Sequence, residues 1–125
     1  METWRELSEN NQKAAQSLLE TEQVRSCISR SYYAAHCAVT HLFVSRGVHF
    51  PRGWNNPAHE QLPALVTNYG GLARGSRYEI NKVLRRLRTL REDADYRPHV
   101  VLTLKQAVAA LRDAKFILTT LEELQ

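Results

Sequence analysis

The sequence is poor in cysteine, methionine and proline, and it contains no long apolar run. Two cysteines, one methionine and four prolines occur in 125 residues. Cys27 and Cys37 stand ten residues apart on what reads as one helix. That separates them by about 15 Å, too far for a disulfide. Neither has a CxxC partner, so they read as small packed hydrophobes in a reducing cytosol, and the expected setting is cytoplasmic. The five histidines are His36, His41, His49, His59 and His99. No two of them fall at the i, i+4 spacing that chelates a metal from one helix, so neither metal nor cofactor is indicated. No stretch reaches about 18 consecutive apolar residues, and METWRELSENN lacks a basic region followed by an apolar one. Neither export nor a membrane span is expected.

What is present is ordinary globular material, 43% hydrophobic and 24% charged. A chain of this length forms one domain, residues 1–125, with one hydrophobic core. Its net charge of +4 is unevenly placed. Between Arg74 and Arg97 there are eight basic residues against four acidic ones, so the whole excess sits in that segment. Concentrated positive charge is the form a phosphate-binding surface takes, although it is also the form of a solvated helix face.

Helical periodicity runs through the chain and strand alternation is missing. Thr3 with Glu6 forms a capping-box pattern, and Trp4, Leu7, Ala14, Ala15, Leu18 and Leu19 make an apolar stripe ending near Glu20. Thr21 is the candidate cap of a second helix running to Arg46, where Gly47 supplies the stop. Val24, Ile28, Tyr32, Ala35, Val39, Leu42 and Phe43 form its core side. Beside them lies a row of Arg30, Tyr33, Cys37 and His41, readable as a boundary row, a dimer seam or the wall of a site. Ala34, Ala35 and Ala38 would let a neighbouring helix come close. The GVHFPRGWNNP stretch is a loop in which Phe50 and Trp54 flank Arg52. A short third element is expected between Pro57 and Tyr69, with His59 in its first turn. Thr103 with Gln106 caps a last helix whose stripe is Leu104, Ala107, Val108, Leu111, Ala114, Leu118 and Leu121.

The central stretch is YEINKVLRRLRTLREDADYRPH, from Tyr78 to His99, expected to be a helix capped by Ser76 and ended by Pro98. Ile80, Val83, Leu84, Leu87, Leu90 and Ala94 share one stripe, and Arg91 falls inside it, at about 100° per residue. Arg85 and Arg86 point away. An arginine on a buried side needs a carboxylate, a carbonyl or an anion to face. Asp95, one turn on, offers a structural pair. The other reading is a partly buried cation lining a site.

Three segments together resemble HEPN domains: SRSYYAAHCAVTHLF (29–43), NPAHEQL (56–62) and LRTLREDADY (87–96). The likeness is to the small prokaryotic group with SRxYYAxxHA-like and LRxxADY-like motifs, and it extends over nearly the whole chain. It implies an all-α, four to five helix up-and-down bundle that pairs as a homodimer with its basic helices at a shared cleft. It also implies a metal-independent ribonuclease, the toxin-type component of a toxin–antitoxin or defence system, partnered by a nucleotidyltransferase-like antitoxin.

The family's catalytic signature is an arginine, four to six residues, then a histidine. Arg91 matches the arginine, but seven residues, with Pro98 the last, precede His99, and Asp95–Tyr96 matches the ADY form instead. RNA cleavage without metal needs a base, an acid and cations for the phosphorane charge. The expected assignment is Arg91 and Arg88 on phosphate, with His99 or His41 for acid–base work. Lys82, Arg85, Arg86, Arg88, Arg30 and Tyr33 are the expected RNA or nucleotide contacts. Tyr96 or Tyr33 is the candidate for modification by a partner. The alternatives are an HEPN domain that binds RNA or nucleotide without cutting, and a dimeric scaffold engaging a nucleotidyltransferase-like protein. A dimer is expected to bury the Arg30, Tyr33, Cys37 row or the Arg88, Arg91, Asp95 row.

Overall fold

A computed structural model of the chain describes residues 3–47, 66 and 73–123. Helix α1 spans Trp4–Glu20, α2 Val24–Ser45, α3 Arg74–Tyr96 and α4 Leu104–Glu122. Among the described residues every regular element is a helix. Thr3 opens α1 by accepting the Glu6 N–H, at 3.1 Å. At Thr103 both halves of the capping box form, because Gln106 reaches back to the Thr103 N–H at 2.8 Å. These caps satisfy N–H groups that a helix start leaves without partners.

Two expected boundaries are corrected. Thr21 closes α1 rather than opening α2, and its hydroxyl donates to the carbonyls of Ser17 and Leu18. Glu22 then adopts a left-handed conformation at φ 57°, and the Gln23 N–H returns to the Leu18 carbonyl at 2.8 Å. That reversal consumes the residues expected to start α2, which begins at Val24. Helix α3 starts at Arg74, two residues before Ser76, with the Arg77 N–H bonded to the Ala73 carbonyl. The backbone supplies this start without a side-chain cap. The stop at Gly47 stands, with φ 71° and its N–H on the Val44 carbonyl. The GVHFPRGWNNP loop and the element expected at 57–69, with His49, Arg52 and His59, lie outside the described residues, apart from a buried helical Val66.

Helix α2 is the central one and packs against the other three. Cross-links fix the directions. Ser8 on α1 donates to the Ala34 carbonyl and Arg30 to Asn11, so α1 and α2 are antiparallel. Arg25 meets the end of α3, while Tyr32 meets Arg91 further back along it, so α2 and α3 are antiparallel as well. Arg5 reaches Glu122 and Lys115 reaches Gln16, so α4 runs against α1 and therefore against α3, across which Arg86 reaches Asp113. The result is an all-α up-and-down bundle. Its core joins Ile28, Tyr32, Val39, Leu42 and Phe43 of α2 to Ile80 and Leu87 of α3, Ile117 and Leu121 of α4, and Val66. Each such side chain contributes roughly 1.5–3 kcal/mol by leaving water. Ala34, Ala35 and Ala38 are buried, and the 2.8 Å bond from Ser8 to the Ala34 carbonyl shows how near they let α1 come.

Candidate functional site

The apolar stripe of α3 drives its one cationic member inward against the first half of α2. Arg91 is only 5% exposed. Its guanidinium carbon lies 5.2 Å from the ring centre of Tyr32, 5.5 Å from that of Tyr33 and 5.4 Å from that of Tyr96. Asp95 stands at 3.8 Å from the Arg91 Nε, and the same carboxylate oxygen accepts from the Ser29 hydroxyl at 3.2 Å. The 3.8 Å contact is an ion pair rather than a hydrogen bond, and the Asp95 side chain is partly solvated, which holds its worth to about 1 kcal/mol. Each ring supplies about 0.5–2 kcal/mol of cation–π attraction, most at buried Tyr32 and least at exposed Tyr96. The tyrosine cage therefore outweighs the carboxylate in holding this charge. Arg91 thus pairs with Asp95 and forms a floor beneath three tyrosine rings.

Around that floor the charges are arranged in exchangeable pairs. Arg30 covers the Tyr33 ring at 5.1 Å, so Tyr33 has a guanidinium on two sides. Arg88 bonds Glu92 at 2.9 Å, and Arg97 reaches Asp93 at 3.0 Å and Glu92 at 3.6 Å. These side chains are partly solvated, and such pairs yield readily to a better anion. Tyr96 is 68% exposed, leaving much of its ring and hydroxyl open to solvent. Tyr32 is fully buried, and burial pushes its phenol well above the usual tyrosine range, against the pull of Arg91 and Arg88. It serves as a neutral wall.

The expected site residues divide into groups. Arg91, Arg88, Asp95, Tyr33, Arg30 and Tyr96 come together. Lys82 sits about 180° round α3 from Arg91, on solvent, and Arg85 hydrogen-bonds its own helix at the Asn81 carbonyl. Arg86 turns to α4 and grips Asp113 through two bonds of 2.8 Å, which raises its affinity for its proton. It ties α3 to α4. His41 lies about 13 Å along α2 from Tyr32 and lines a separate cavity with Arg5, Glu9 and Lys115. His99 is exposed in the turn after α3. His36 meets Tyr32 at 6.1 Å between ring centres and is as deeply buried as Arg91. Among the described residues no cluster of His, Cys, Asp and Glu could hold a metal, and no helix is long and apolar enough to cross a membrane.

One organising residue escaped the sequence reading. Arg25 donates through Nη1 to the carbonyls of Asp93, Ala94 and Arg97, and through Nη2 to those of Pro98 and Val100. It satisfies carbonyls that the end of α3 leaves without partners, and it fixes the turn on both sides of His99. A signal existed, because a cation in the first turn of a helix opposes the helix dipole and needs another reason to be there.

Compared with known families, residues 1–124 match the family model described as HEPN domain. The chain belongs to the HEPN domain family. No curated protein matches it. In this HEPN domain the LRTLREDADY segment forms the second half of α3 and supplies Arg88, Arg91, Asp95 and Tyr96. The SRSYYAAH segment supplies the Ser29, Arg30, Tyr32 and Tyr33 that face them from α2. The two motifs meet where α2 packs on the second half of α3.

Proposed function

We propose that this HEPN domain binds a phosphate-bearing ligand, RNA or a nucleotide, where α2 meets the end of α3, and holds it without cutting. The observation that carries this is the Arg91 guanidinium enclosed by Tyr32, Tyr33 and Tyr96, an enclosure to which the described residues bring a cation and three aromatic rings. Arg88 and Arg97 exchange their carboxylates for phosphate, and the open face of Tyr96 offers a base a stacking surface. Cleavage needs a proton acceptor and donor working near neutral pH, and among the described residues His41 lies away from this place on another cavity. The test is retention of a labelled single-stranded RNA and of a nucleotide at rising salt. Affinity should fall steeply with salt and drop about tenfold in Tyr96→Ala and Arg88→Ala. Binding indifferent to salt and to both substitutions sinks the reading.

A second reading, a metal-independent ribonuclease of toxin type, is favoured by one feature. His99 is exposed and held by the carbonyls on either side of it, three residues beyond Tyr96. In a homodimer a second copy can present that imidazole beside Arg88 and Tyr96. Arg91 and Cys37 are already buried within one protomer, so such a dimer uses Arg30, Tyr33, Arg88 and Asp95. In the toxin setting the open Tyr96 hydroxyl is what a nucleotidyltransferase-like antitoxin can modify. Chelator-resistant cleavage lost in His99→Ala would select this reading over the first.

A further inference from the structure

Two small side chains leave room where α1, α2 and α4 meet. Ser8 and Ala38 stand where larger residues would fill the space, and a cavity of about 300 Å³ remains, with Ala38, Leu118 and Leu121 on its apolar side. Charge along it is divided. At one end Glu9 and Glu122 share the guanidinium of Arg5, each at 3.3 Å, so one negative charge is left over. At the other end Lys115 donates to the neutral Gln16 amide oxygen at 3.2 Å, so one positive charge is left over. The side chains of Arg5, Glu9 and Glu122 are more than half exposed, and such pairs give way to a better partner. Gln12, His41 and Thr119 also line the cavity, and their side chains have no hydrogen-bond partner among the described residues.

We infer that this cavity binds a free apolar dipeptide, with its ammonium on Glu9 and Glu122, its carboxylate on Lys115 and its side chains against Ala38, Leu118 and Leu121. Length selects the dipeptide. Lys115 and Glu122 are separated by about 10 Å along α4, and their partners Gln16 and Arg5 by about 16 Å along α1. An extended dipeptide of about 7 Å, with an ion pair of about 3 Å at each end, falls between those lengths. A single amino acid, whose charges are about 3 Å apart, falls short of both. The peptide amide loses water on entry and needs partners, which Gln12, His41 and Thr119 offer as donors and acceptors. A simple anion would face the two carboxylates, and a simple cation would face Lys115. This cavity is separate from the Arg91 site and does not depend on its ligand.

The probe is leucyl-alanine, titrated calorimetrically into the full chain. Beside it go N-acetyl-leucyl-alanine, which lacks the ammonium, and leucyl-alaninamide, which lacks the carboxylate. Free leucine and ε-aminocaproate complete the set, the first with its charges too close together and the second with similar spacing but no amide. Leucyl-alanine should bind with a Kd below about 1 mM, and each of the other four at least about tenfold more weakly. Lys115→Gln should weaken the dipeptide to the level of its amide while leaving the affinity of the amide unchanged, a loss of discrimination that unfolding cannot produce. Absence of binding at about 10 mM, equal binding of either blocked form, or a Lys115→Gln variant that still prefers the dipeptide overturns the inference. So does binding of leucine or ε-aminocaproate as tight as that of leucyl-alanine, which would give the cavity to a simpler zwitterion.

Discussion

Arg91 ties two helices together, because its charge is kept inside by three rings that come from α2 and α3. Arg91→Ala should therefore lower stability by about 2–4 kcal/mol in urea unfolding, combining the lost cation–π contacts with a void and an exposed Asp95. Arg91→Lys, which keeps the charge but not the flat stacking surface, should recover only part of it. Burial also pushes the Cys27 thiol up and the Cys37 thiol up to about 11, and raises the Tyr32 phenol. All three groups hold their protons more tightly folded than unfolded. Their contribution is complete below the unfolded values and is lost as pH rises from about 8.5 upward through the folded ones. Unfolding free energy should thus decline above that pH, with a shallower decline in Tyr32→Phe. At pH 8 neither thiol should react with a disulfide reagent until denaturant is added. At this scale the sequence displayed Arg91 on an apolar stripe, yet it could not display the cage, since Tyr32 and Tyr33 lie far from Arg91 along the chain and meet it only when α2 packs on α3.

Two short connections decide where the helices point. The α1–α2 reversal places Glu22 at φ 57°, a conformation costly for a residue with a Cβ and free for glycine. Glu22→Gly should stabilise the fold by up to about 1 kcal/mol in thermal unfolding, net of glycine's entropy in the unfolded chain. At the other end Arg25 gathers five carbonyls from the end of α3 and the turn after it. Arg25→Ala should cost about 1–3 kcal/mol and speed amide hydrogen exchange between Arg97 and Val100 while leaving α1 unchanged. Helix order and the final capping box were legible because caps and periodicity are local. Thr21 was misassigned because a threonine that can start a helix can also end one through its hydroxyl. The partners of Arg25 went unseen because they are backbone carbonyls, which carry no sequence signal, so its place in the first turn of α2 was the one sign of it.

For the whole molecule, the positive charge that is concentrated in sequence is divided in space. Arg86 is held by Asp113, Lys82 and Arg85 face solvent, Arg91 lies among the tyrosines, and Arg88 and Arg97 share Glu92. A tally of basic residues could locate the segment but not this division, which depends on the 100° step of α3 and on what packs against each side. RNA held at the tyrosine site should leave Lys82→Ala close to wild type in affinity, while Arg88→Ala weakens binding and reduces the salt slope by about one.

The most direct measurement is incubation of purified protein with labelled single-stranded RNA in excess chelator, reading retention and fragment length from the same samples for wild type, Tyr96→Ala and His99→Ala. Binding without cleavage predicts intact RNA in all three, retained by wild type and His99→Ala and released by Tyr96→Ala. RNA cut by wild type and left whole by His99→Ala would contradict it and make the protein a ribonuclease.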